Sequence, residues 1–270
     1  MPTTIAAIAA KLGAAARRFD IDVLPRCDST NAVLLSRAES GAPSGTVVIA
    51  EEQAAGRGRR GRTWFSSPGD SLTFSLLWRF APGTAPAGLS LAVGVAVAAA
   101  LEKVGAGSPC VPGTPLRGQV TALKWPNDVL KDGRKLGGIL VELVPGASHA
   151  AVIGVGINLR LPAAMPEDVR AASVALCATN EDVNADDLYA ALLLELLAAL
   201  ETFAVHGFAA LRPQWMARHA LQDAAVSLLS DFAPARAGIC RGVDSDGALL
   251  LEVDGQVERI LSGEVSLRPA

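Results

Sequence analysis

Between two β-prone runs, residues 46–51 and 71–79, the chain carries Gln53-Ala54-Ala55-Gly56-Arg57-Gly58-Arg59-Arg60-Gly61-Arg62-Thr63-Trp64-Phe65. Four arginines and three glycines fall within seven residues. Arginine is a permanent cation whose planar fork matches carboxylate and phosphate oxygens. Glycine lets backbone approach a ligand closely. The composition predicts a loop able to surround several negative charges, without a fixed path before ligand arrives. Gly56, Gly58 and Gly61 also spell G-x-G-x-x-G. A dinucleotide fingerprint needs a helix immediately after and an acid about 20 residues on. Ser66-Ser67-Pro68-Gly69-Asp70 breaks the chain at once, no acid lies near position 81, and no Gly-Lys-Ser/Thr follows to make a phosphate loop. Taken alone, the stretch reads equally as a solvated basic loop or a nucleic-acid patch.

The rest of the chain narrows this. Net charge is −3 over 270 residues, against the basic surface expected of a general nucleic-acid binder. Half the residues are hydrophobic, enough for a large domain with or without a small module. Cys27, Cys110, Cys177 and Cys240 are widely spaced, as are His149, His206 and His219, so neither zinc spacing nor a disulfide framework is visible. The longest apolar run, residues 89–101, is too short to cross a bilayer, and Arg17 and Arg18 follow rather than precede the apolar part of the amino terminus. The expectation is a cytoplasmic enzyme without membrane attachment.

Periodicity predicts an amphipathic helix over residues 4–19, a strand at 21–26, and a helix from about Asn31. Ser29, Thr30 and Asn31 sit at that strand-to-helix turn, where they read either as caps or as a polar ligand cradle. Residues 71–79 alternate as a strand with one buried face, and residues 89–104 form an apolar helix. Residues 105–119 read as a surface excursion. Asp132-Gly133 is a hairpin signal, and paired glycines at 137–138 and at 154 and 156 predict a sheet that something approaches closely. Long helices are expected at 185–205 and 208–221. The short β-prone runs after residue 222 predict a small barrel, dividing the chain at 1–221 and 222–270. About twenty residues precede the first strand, too few for a helix-turn-helix domain, so DNA binding is not expected.

Lys124-Trp125-Pro126-Asn127-Asp128 and Lys135 add cations to the arginines. Asn127-Asp128 offers oxygens to a Mg²⁺ that leans on phosphate oxygens. A site with this many cations and an aromatic face in Trp64 suits ATP beside a second anion, the demand of carboxylate adenylation. No Ser/His/Asp arrangement suggests a covalent enzyme intermediate.

These motifs resemble the biotin–protein ligases in their monofunctional form. The resemblance rests on Asp28-Ser29-Thr30-Asn31, the arginine loop, Lys124-Trp125-Pro126-Asn127-Asp128, Lys135-Leu136-Gly137-Gly138-Ile139-Leu140-Val141-Glu142, Gly154-Val155-Gly156-Ile157-Asn158 and Ser262-Gly263-Glu264-Val265-Ser266-Leu267. It implies an α+β fold, a mixed or antiparallel sheet flanked by helices like the catalytic domains of class II aminoacyl-tRNA synthetases, plus a carboxy-terminal SH3-like barrel. It implies that biotin and Mg²⁺-bound ATP give biotinyl-5′-adenylate, and that biotin passes to a lysine of the biotin carboxyl carrier protein of acetyl-CoA carboxylase or a related carboxylase. Ser29, Thr30, Asn31, Gln53, Arg57, Gly58, Arg59, Lys135 and Gly138 would hold biotin. Arg59, Arg60, Arg62, Trp64, Lys124, Asn127 and Asn158 would hold ATP and the adenylate. Arg59, Lys124 and Lys135 would be catalytic, and Asp128 the Mg²⁺ ligand. The family admits a homodimer. Lipoate–protein ligase, which shares the chemistry, and a nucleic-acid module built on the arginine loop are the rival readings.

Overall fold

The computed structural model describes residues 3–104, 121–176, 184–230, 234–261 and 265–269. The 105–119 excursion and part of the terminal Ser-Gly-Glu motif lie outside them. The first helix, α1 (Ile5–Leu12), is shorter than its periodicity predicts. Gly13, at φ 56, ends it, and a 3₁₀ segment, Gly13–Arg18, carries the chain to β1 (Asp20–Leu24). Then α2 (Thr30–Glu39) returns it to β2 (Thr46–Ala50), which pairs in parallel with β1. The arginine loop follows, then β3 (Ser71–Arg79), α3 (Leu89–Lys103), β4 (Ala122–Lys124), β5 (Asp128–Lys131), β6 (Arg134–Val144) and β7 (Ala147–Asn158). The sheet order is β1-β2-β3-β7-β6-β5-β4, antiparallel apart from the first pair. The β5–β6 hairpin turns on Asp132 and Gly133, both at positive φ (52 and 73), as their sequence signals.

Period-2 alternation sends Leu72, Phe74, Leu76 and Trp78 of β3, with Ile153, Val155 and Ile157 of β7, to one face of the sheet. There they meet α3 and α5 (Ala185–His206), which follows the short α4 (Glu167–Ala171). Leu77, Val144 and Val152 face the other way, against Leu34 and Ala38 of α2. Strand β3 is therefore buried on both faces, not one, because α2 covers the side that alternation alone would leave wet. By length and composition α5 is apolar enough to cross a membrane (mean hydropathy 1.9), but Leu188, Leu192, Leu193, Leu196, Leu200 and Phe203 lie in the core, and its acids pair with Arg18 (2.7 Å), Lys11 and Lys103.

The helix expected at 208–221 is broken. A 3₁₀ turn (Phe208–Ala210) and α6 (Arg212–Met216) are followed by turns and a single bridge at His219, because the Arg218 carbonyl and Ala220 N–H bond to Leu123 of β4. Beyond it, β8 (Ala225–Ser230), β9 (Arg236–Val243), β10 (Leu249–Val253), β11 (Gln256–Ile260) and β12 (Val265–Pro269) make an antiparallel sheet ordered β11-β10-β9-β8-β12, the SH3-like unit expected. Val226, Cys240, Leu249 and Leu251 join the same core as the larger sheet. The turn before β10 docks on it directly. Trp125 Nε1 donates to the Gly247 carbonyl at 3.1 Å, and a Cβ on Gly247 would sit 2.8 Å from Gly88 Cα.

Candidate active site

Along the α2 side of the sheet the lining changes from aliphatic to small and polar. Beyond Leu77 the same face of β3 presents Ser75 and Thr73, and beyond Val152 that of β7 presents Gly154, Gly156 and Asn158. The glycines have specific occupants. A Cβ on Gly154 would lie 2.3 Å from Asn31 Oδ1, and one on Gly156 would lie 2.5 Å from the Trp64 indole. Gly138, the register partner of Gly156, lies under the same indole and the Lys135 side chain. The close approach that the glycines predict is thus made by Asn31 and Trp64.

Ser29, Thr30 and Asn31 are buried at the start of α2. Ser29 stands at the N-cap without making a side-chain capping bond. The Thr30 N–H is met instead by Gln53 Oε1 at 2.8 Å, from the base of the loop. Capping therefore does not account for these residues. Gln53 is itself fixed, its N–H donating to Ser66 Oγ at 2.7 Å.

The arginine loop stands at the mouth of the cavity. A short ladder closes it: Trp64 N–H to the Gly56 carbonyl (2.8 Å), Gly58 N–H to the Arg62 carbonyl (2.6 Å), with Arg57 bridged to Thr63. The tip turns through Arg59–Gly61, with Arg60 at φ 57. Gly56 is required sterically, since a Cβ there would stand 2.5 Å from the Trp64 carbonyl oxygen. Arg57 pairs with Glu142 at 3.0 Å, and Arg59 reaches Asn127 Oδ1 at 3.4 Å.

Across the cavity, Asp128 accepts from Lys124 at 2.9 Å through one oxygen and from Lys135 at 2.7 Å through the other. Burial alone would raise its pKa, but the two ammonium groups outweigh it and hold the carboxyl down to about 2. Asn127 Nδ2 donates to the Ile139 carbonyl at 3.0 Å. Asn158 Nδ2 donates to the Lys135 and Val174 carbonyls, both at 3.4 Å. Asn158 Oδ1 and Trp64 Nε1 are buried without a partner among the described residues. Among the described residues no three His, Cys, Asp or Glu side chains gather as metal ligands.

Every site residue named from the sequence, from Ser29 to Asn158, lines one cavity of about 980 Å³. That is the upper end for ligand pockets and leaves room for two substrates side by side. Sequence reasoning missed Asp168, Val169 and Ser173 around α4, and Arg268 of β12, which complete the wall. It also missed Ser75 and Glu142 beneath the loop. Nothing in the sequence marked Ser75, because β3 alternation places a polar residue at that position anyway. Glu142 closes a quoted motif with nothing to mark its partners.

Comparison with known proteins follows the same lines. Residues 23–158 match the Biotin/lipoate A/B protein ligase family, and residues 236–268 match the Biotin protein ligase C terminal domain. The "Bifunctional ligase/repressor BirA" of Escherichia coli is 41% identical over 93% of this chain and 74% of that protein. The "Biotin--[acetyl-CoA-carboxylase] ligase" of Mycobacterium tuberculosis is 35% identical over 94% of this chain and 91% of that one. A biotin protein ligase from Aquifex aeolicus, solved with biotin and ATP, superimposes with a TM-score of 0.76 at 28% identity over 93% of this chain and 99% of that one.

Proposed function

The chain belongs to the biotin protein ligases of the Biotin/lipoate A/B protein ligase family, and from that premise we propose how its own residues carry the reaction. The enzyme joins biotin to a protein in an ATP-dependent, AMP-forming reaction. The observation that carries this is the meeting, in one cavity, of the small polar turn at Ser29–Asn31, the arginine loop and the Lys124–Asp128–Lys135 cluster. The matched carboxy-terminal module favours biotin over lipoate as the acid.

Biotin's ureido ring lies against Ser29, Thr30, Asn31 and Gln53, with its chain running over Gly138 toward Lys135. Adenine packs near Trp64 and Asn158, whose buried Nε1 and Oδ1 are without partners among the described residues. The biotin carboxylate attacks the α-phosphorus of ATP, and pyrophosphate leaves with its charge spread over Lys124, Arg60 and Arg62. Two anions meet here only because cations stand ready before the reaction begins. The product is a mixed anhydride, biotinyl-5′-adenylate. Arg57, Gly58 and Arg59 close over it and keep water off the acyl carbon. The ε-amine of a lysine on a biotin carboxyl carrier protein then attacks that carbon, and AMP leaves.

Magnesium enters as part of the substrate Mg·ATP. Among the described residues the donor set does not make a protein-held site of its own. Asp128 is the single carboxylate of the cluster, and both its oxygens already face ammonium groups. We assign Asp128 to holding Lys124 and Lys135 in place until phosphate draws them away. A cytoplasmic location completes the proposal, and the family admits a homodimer. Pyrophosphate exchange into ATP, run with biotin against lipoate, tests it: exchange driven by biotin is expected, and exchange driven by lipoate alone contradicts it.

A further inference from the structure

Beneath the arginine loop the polar side chains form one continuous run of hydrogen bonds. Two of its members, Ser75 and Glu142, have no part in the reaction scheme above. Gln53 Oε1 lies 3.2 Å from the Thr30 hydroxyl, which lies 2.8 Å from Ser75 Oγ. Ser75 Oγ lies 2.5 Å from Asn31 Oδ1. Asn31 Nδ2 donates to Glu142 Oε2 at 2.7 Å and to the Leu140 carbonyl at 3.2 Å. The same Glu142 oxygen takes Arg57 at 3.0 Å. The run starts and finishes on the loop, with Gln53 at its base and Arg57 on its ascending arm.

The chemistry of the groups gives this run a direction. A carboxylate and a carbonyl only accept, so Glu142 and Leu140 hold the Asn31 NH₂ toward themselves and turn Oδ1 toward Ser75. Oδ1 carries no hydrogen, so the single Ser75 proton points at it. Thr30 is left with one proton for two neighbours, Ser75 and Gln53. Ser75 is fully buried and Thr30 and Asn31 nearly so, which makes a reversed Asn31 amide costly, with NH₂ facing a hydroxyl already committed elsewhere.

We propose that Ser75 and Glu142 are positioning residues for the biotin site: Glu142 orients the Asn31 amide and ties it to Arg57, so that the lining facing the ureido ring and the loop covering it move as one unit. This rests on the biotin reading of the cavity. Neither residue touches reacting atoms, so its loss acts on biotin capture and on retention of the adenylate.

The test is steady-state adenylation and single-turnover retention of labelled adenylate in Ser75→Ala, Glu142→Gln and the double variant. Each single change is expected to raise the KM for biotin about tenfold, the size of one lost buried hydrogen bond, with the KM for ATP unchanged. Glu142→Gln, but not Ser75→Ala, should also speed escape of the adenylate, and Glu142→Asp should recover part of that loss. The double variant should fall short of the product of the singles, because both act through Asn31. Equal changes in both KM values, or fully multiplicative effects, would mean a merely structural role and overturn the proposal. If Ser75→Ala does not fold, Ser75→Thr, which keeps the hydroxyl, and the Glu142 pair still decide it. Wild-type adenylation of biotin in the same assay separates failure here from failure of the functional reading.

Discussion

Asn31 lies so close over Gly154 that even one methyl group cannot be added there. A Cβ at that position would stand 2.3 Å from Oδ1 and 3.0 Å from Cγ. Gly154→Ala is therefore expected to displace Asn31 and lower kcat/KM for biotin about 100-fold, roughly 3 kcal/mol of transition-state binding. Gly94→Ala, in α3, where a Cβ would meet nothing closer than 3.5 Å, is not expected to do so. Steady-state kinetics on the two variants check this. Asp128 gives a second residue-level expectation. Its folded pKa, about 2, lies below the ordinary carboxylate value, so its contribution to stability is complete above about pH 4 and is lost as pH falls through about 2. Asp128→Asn removes that contribution at every pH and leaves two ammonium groups facing each other. A loss of about 2 kcal/mol is expected in urea unfolding at pH 7, below the figure for a fully buried pair because Lys135 is partly exposed.

Among the elements, the arginine loop is tied to the body of the protein through its side chains, Arg57 reaching Glu142 and Arg59 reaching Asn127. Arg59→Gly removes the second tether. Its adenylate should escape into solution and biotinylate lysines of bystander proteins, read by blotting a mixture with labelled biotin. A variant that retains the intermediate as firmly as wild type would contradict a covering role for the loop. The loop, β3 with its bounds, the Asp132-Gly133 hairpin and the glycine face were legible in the sequence, because each is set by local pattern or backbone sterics. The two-sided burial of β3 was not, since it depends on where α2 lands. Nor was the break after Met216, which comes from pairing with Leu123, far away in sequence. The cavity lining was readable as a set of cations and small polar groups. The pairing of Glu142 with both Asn31 and Arg57 was not, because no local spacing encodes it.

At the scale of the whole molecule, the two sheets share one core, and their seam contains a titratable group. His219 lies against Trp215, with ring centroids 4.5 Å apart. Its Nε2 is 3.7 Å from Cys240 Sγ in β9 and its Nδ1 is 3.4 Å from Gln222 Oε1. Burial holds its pKa down to about 4, in spite of Gln222 and Asp223, which act in the opposite direction. The folded protein thus prefers neutral His219. Its contribution to stability is complete above the unfolded pKa near 6.5 and fades as pH falls toward about 4. Between pH 7.5 and pH 5 this amounts to about 2 kcal/mol, and His219→Gln should flatten that part of the profile of Tm against pH. The seam adjoins the site, since Leu123, which bonds to the Arg218–Ala220 backbone, precedes Lys124.

The central claim is that this cavity activates biotin with ATP and hands it to a protein lysine. It is met most directly by incubating the enzyme with labelled biotin and a biotin carboxyl carrier domain, with and without Mg·ATP. Label on a single carrier lysine, dependent on Mg·ATP and accompanied by pyrophosphate and AMP, is expected. Label that does not depend on ATP, or lipoate incorporated where biotin is refused, would contradict it.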